Sequence, residues 1–144
     1  MEYNIFWEVI EMIIDTSNIN LISERTISIH DYIFLKMEFN YIKEKLAVDI
    51  LDDNMNEAPH TIEFCNIIGF EMQHCNFWGK SPHILDWEIA EENKETMIPK
   101  LFYEKQKNNY DSSNLIDGEK YIESIITFTS GDKLIVACSY IVFL

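Results

Sequence analysis

The sequence predicts an α+β domain. An N-terminal helix is followed by a predominantly antiparallel, strongly curved sheet of six to eight strands, closed into a partial barrel or split into a sandwich. Three observations predict it. Apolar residues recur at three- and four-residue intervals over residues 2–15. They alternate with period two through most of the remaining chain. Gly, Pro, Asn and Asp fall between the alternating runs, where turns need them.

In the helix of residues 2–15, Ile5, Phe6, Val9, Ile10, Ile13 and Ile14 form one stripe, with Glu8, Glu11 and Asp15 opposite. Packing of that stripe has to outweigh a high β-branched content and acidic residues that oppose the helix dipole. Thr16-Ser17-Asn18 breaks the pattern. A short strand over 26–29 leads through His30-Asp31 into a strand over 32–39. There Ile33, Leu35, Met37 and Phe39 alternate with Tyr32, Phe34, Lys36 and Glu38. Asn40 marks a turn, and Leu46, Val48 and Ile50 then alternate with Lys45, Ala47 and Asp49. A helix over 41–51 is the rival reading, since Ile42, Leu46 and Ile50 also sit four apart; the strand is preferred.

Residues 61–88 are the stretch around which the sequence is organised. Ile62 and Phe64 alternate with Thr61, Glu63 and Cys65 up to Gly69, which signals a bulge or turn. A second strand over 70–77 and a third over 83–89 come next, parted by Gly79-Lys80-Ser81-Pro82. The third would place His83, Leu85, Trp87 and Ile89 on one face and Ile84, Asp86 and Glu88 on the other. A short helix over 97–106 and a polar loop over 107–118 lead to the clearest hairpin. In it, Ile126 and Phe128 must share a face with Leu134, Val136 and Cys138. Only a three-residue loop, Thr129-Ser130-Gly131, keeps that register, and it puts Gly131 at the left-handed position.

Length and composition bound the function. A chain of 144 residues is one domain able to bury roughly 68–70% of its unfolded surface. No apolar run reaches the ~20 residues of a membrane helix, and Glu2 stands where a signal peptide carries Lys or Arg. A cytoplasmic location is expected. The three Cys, with no close-spaced pair, read as reduced, buried thiols. A net charge of −14 argues against nucleic acid and anionic membrane as partners; it reads either as solubility in a crowded cytoplasm or as a field that draws a basic protein partner.

No catalytic motif emerges, and no cofactor is expected. His60, His74 and His83 with Cys65 and Cys75 lack zinc-site spacing, so no metal site is assigned. An acidic field opposes a reactive thiolate. A carboxylate pair of Asp86 and Glu88 with Glu71 reads more simply as a solvated strand face. Glu71, His74, Trp78, His83, Asp86 and Trp87 are the candidate lining of a cleft. Asp52, Asp53 and Glu57 on one loop, with Glu91, Glu92 and Glu95 on another, are the candidate contacts to a basic partner.

The segments Gly69-Phe70-Glu71, Phe77-Trp78-Gly79, Ser81-Pro82-His83 and Asp86-Trp87, with residues 128–132 and Cys138, resemble small acidic proteins of low-GC bacteria. Some proteins of this size and acidity resemble immunity proteins, which guard a cell against a sibling's toxin. The resemblance covers the C-terminal half and implies no catalytic residue. The leading expectation is therefore a non-enzymatic acidic binding protein with a basic protein partner, with immunity as its most concrete form. The alternatives are a small-molecule binder or enzyme built on the aromatic cleft, and a structural subunit of a homo-oligomer.

Overall fold

The computed structural model describes residues 11–53, 58–74, 83–90 and 121–144. The elements are β1 (Met12–Ile14), α1 (Asn20–Ser23), β2 (Ile33–Asn40), β3 (Lys45–Asp52), β4 (Ala58–Met72), β5 (Ile84–Ile89), β6 (Ile122–Phe128) and β7 (Lys133–Phe143). All seven described strands belong to one antiparallel sheet. The α+β expectation is thereby corrected, because α1 is a single four-residue turn and the described fold is otherwise β.

The end of the expected N-terminal helix is a strand. Met12, Ile13 and Ile14 pair with Phe143, Val142 and Ile141. The reason lies in β7. Its pairing with β6 ends at Cys138, so the backbone beyond offers an open edge, and a β-branched segment takes it. Residues 2–10 of that expectation lie outside the described residues, as do 75–77 of the second strand, the helix over 97–106 and the loop over 107–118. The expected strand over 26–29 is irregular chain, although Ile29 is buried.

The strand order is β2-β3-β4-β7-β6-β5, and the two ends of this order meet. An antiparallel bridge joins Ile33 to His83. The Asp31 N–H donates to the Ile84 carbonyl at 2.8 Å, and the Ile84 N–H donates to the Tyr32 carbonyl at 2.8 Å. The sheet therefore closes on itself at this corner, which satisfies backbone groups that an edge would leave open. The order places β2–β3–β4 and β5–β6–β7 side by side as two three-stranded sets whose third strands pair and whose first strands meet.

The inner face holds Leu46, Val48 and Ile50 of β3, Ile62 and Phe64 of β4, Ile126 of β6, and Leu134, Val136, Cys138 and Ile141 of β7, all fully buried. Bulges in three of the described strands set which residues reach it. β2 shifts register between Phe34 and Lys36, β4 between Ile67 and Gly69, and β5 between Ile84 and Asp86. In β2 the extra residue moves Phe34 inward and leaves Leu35 at 52% exposure. In β5 it moves Ile84 into the core beside Trp87 and leaves Leu85 at 46%. Strict alternation assigns these residues the other way round. The bulge in β4 comes where Gly69 signals it, but the strand continues, so Phe70–Met72 extend β4 against Leu134–Val136 rather than starting a new strand.

Candidate functional site

The outer face of β2–β3–β4 is built in rows by the strand register. Lys36, Asp49 and Thr61 form one row; Glu38, Ala47 and Glu63 the next; Asn40, Lys45 and Cys65 the third. Period-two alternation puts these polar residues outside because Leu46, Val48 and Ile50 must lie inside. Lys36 Nζ lies 3.8 Å from Asp49 Oδ2, and Thr61 Oγ1 donates to Asp49 Oδ1 at 2.9 Å. Lys45 Nζ lies 3.6 Å from Glu63 Oε1. Small Ala47 in the middle row leaves an open depression of about 640 Å³, walled by Glu38, Phe39, Asn40, Tyr41, Lys43, Lys45 and Glu63.

The depression runs up to the β2–β3 turn. Asn40 shapes that turn by accepting the Lys43 N–H on Oδ1 at 2.9 Å. Glu44 closes it at φ 51°, and its carbonyl accepts the Ile67 N–H at 2.8 Å. The turn holds Tyr41 and Ile42 in solvent at 80% and 90% exposure. Phe39 packs on Phe70 at 4.8 Å and meets Tyr41 edge-on at 6.1 Å. Large apolar side chains this exposed, rimmed by charge, have the anatomy of an interaction surface. Reading Ile42 as part of a helical stripe hides it; its place at a turn after Asn40 is the signal that reveals it.

The candidate cleft does not assemble from its described members. Trp87 is in the core, stacked on Phe143 at 6.4 Å. Asp86 faces outward, where Arg25 Nη2 donates to its Oδ2 at 2.9 Å; its Oδ1 accepts the Trp87 N–H at 2.9 Å. Glu71 is exposed on β4, with β7 and β6 between it and β5 in the sheet order. At about 4.8 Å per strand that separation is on the order of 14 Å, too far for a shared carboxylate site. His74 is exposed, with Nδ1 3.6 Å from Asp132 Oδ2. His83 sits half-buried at the closing corner, and Trp78 lies outside the described residues.

The acidic loop divides. Asp53 is exposed, but Asp52 is the last inward residue of β3 and is buried. It accepts a hydrogen bond from Tyr32, whose phenol is pushed above its usual range by burial and then by that bond and the Asp52 charge. Asp52 thus belongs to the interior, not to a docking loop. Glu57, Glu91, Glu92 and Glu95 lie outside the described residues.

Thiol chemistry has poor ground here. Cys65 and Cys138 are free and buried. Burial raises both pKa values, Cys138 to about 12, so neither carries a thiolate near neutral pH. Among the described residues, no three of His, Cys, Asp and Glu come together as metal ligands. None of the described helices is long and apolar enough to cross a membrane. No protein-family model, curated protein or solved structure matches the chain.

Proposed function

We propose that this protein is a non-enzymatic binding module for a basic protein partner, anchored by the β2–β3 hairpin tip, with inhibition or immunity as the concrete role. The observation that carries the reading is the exposure of Tyr41 and Ile42 beside the depression walled by Glu38 and Glu63. An exposed aromatic and an exposed Ile on a turn braced by Asn40 are interface anchors of the kind that dominate binding energy. The chain's charge of −14 supplies the second half. It draws a basic partner from a distance, although Lys43 and Lys45 leave the tip itself of mixed charge. The buried thiols and the scattering of Glu71, His74, Asp86 and Trp87 favour this reading over an enzyme.

The test is affinity capture with cross-linking from cells that make the protein, comparing the wild type with a Tyr41→Ala/Ile42→Ser double variant. The reading expects one basic protein, cross-linked to Lys43 or Lys45, retained at low salt and reduced by at least tenfold at 0.5 M salt or with the double variant. Enrichment of no basic protein, or equal capture by the double variant, refutes it.

A further inference from the structure

Among the described residues, two buried side-chain polar atoms in the core have no hydrogen-bond partner: Trp87 Nε1 and Ser124 Oγ. Trp87 is 3% exposed and Ser124 1%. They sit on adjacent strands. Trp87 pairs with Ile126, and Ser124 pairs with Ile89, so the two are diagonal neighbours on the inner face. In an antiparallel ladder that separation is about 7–8 Å between Cα atoms, within reach of an indole and one small bridging group. The indole stacks on Phe143 with ring centroids 6.4 Å apart.

Leaving each polar atom unpaired costs about 1–3 kcal/mol, which an apolar side chain at either position avoids.

We propose that Trp87 Nε1 and Ser124 Oγ form an internal site for one uncharged oxygen acceptor. An indole N–H can only donate, so the occupant must accept. The described side chains that pair or stack with the two residues, Ile126, Ile89 and Phe143, carry no charge, so an anion would find no counter-charge among them. The occupant is a water molecule, or the carbonyl, ether or hydroxyl oxygen of a small apolar compound. This site is independent of the hairpin tip, and its test does not involve a partner.

A crystal structure of the full chain at about 1.5 Å should show density within hydrogen-bond distance of both atoms. Native mass spectrometry separates the sources: an added mass lost on denaturation identifies an organic compound, and none identifies water. Ser124→Ala supplies the decisive sign. If the serine holds an occupant, removing its hydroxyl lowers Tm by about 3–8 °C. The Ser124→Ala/Trp87→Phe double variant then falls less than the sum of the singles, because both residues bond one group. If the serine is simply unpaired, Ser124→Ala leaves Tm unchanged or raises it. That result, or absence of density between the two atoms, overturns the proposal.

Discussion

Glu44 is a side chain at a backbone position that suits glycine. Its φ of 51° closes the β2–β3 turn, where an L side chain is strained by roughly 1 kcal/mol. Glu44→Gly should raise stability by about 0.5–1 kcal/mol, read as an increased urea midpoint at unchanged slope. The buried thiols give a second prediction. Cys138 titrates near 12 in the fold against an ordinary 9.0. A raised pKa favours the protonated, folded form, so its stabilisation is complete below pH 9 and is lost as pH rises from 9 towards 12. The wild type should therefore lose stability across that window more steeply than Cys138→Ala, by on the order of 4 kcal/mol at full titration. Urea midpoints at pH 8, 10 and 11 in both proteins test this. Tyr32 and Tyr121, also raised by burial, titrate in both and cancel from the difference. At this scale the sequence was informative about Cys65 and Cys138, whose apolar strand surroundings announce burial. It was silent about Asp52, which reads as loop because it stands at the end of an alternating run, one residue before the chain turns polar.

At the scale of the element, the bulges are what sequence periodicity misreads. Leu85 shares the parity of Trp87, so alternation puts it inside and Ile84 outside; the structure does the reverse. The energetics favour the bulge, since burying one Ile side chain is worth about 1.5–3 kcal/mol while one ladder step is given up. Leu85→Lys should accordingly change stability by less than about 0.5 kcal/mol, and Ile84→Lys should cost at least about 3 kcal/mol or prevent folding. Equal effects from the two would mean that the bulge is misplaced. The β6–β7 hairpin shows the opposite case. The observed pairs Ile126↔Leu134 and Thr127↔Lys133 are those of the three-residue loop, with Gly131 at φ 92°. Nothing lies within 4 Å of a Cβ built there, so Gly131→Ala should cost only the backbone strain, about 1 kcal/mol, measurable by chemical denaturation. This loop was legible because the five apolar residues flanking it allow only one register.

For the molecule as a whole, β7 is the strand on which closure depends. It pairs with β4 along nearly its full length, with β6 over its first half and with β1 over its last three residues. Deleting residues 139–144 removes Ile141 and Val142 from the core and the β1 pairing with them. That truncation should abolish the cooperative thermal transition; an unchanged Tm would show that the sheet closes without it. The charge of −14 acts at the same scale, through association rate and its decline with salt rather than through any single contact.

Local alternation and turn chemistry, which act over a few residues, were enough to establish that most of the described chain is antiparallel strand. They also established that Leu46, Val48 and Ile50 of β3, Ile126 and Phe128 of β6 and Leu134, Val136 and Cys138 of β7 share faces, and how the last hairpin turns. They could not establish that Met12–Ile14 is a strand and not the end of a helix, because the edge of β7 that captures it lies far along the chain. Nor could they place Ile84 in the core and Leu85 outside it, or Tyr41 and Ile42 in solvent. Those outcomes depend on bulges and on the meeting of β2 with β5, where contacts between distant strands outweigh the local pattern.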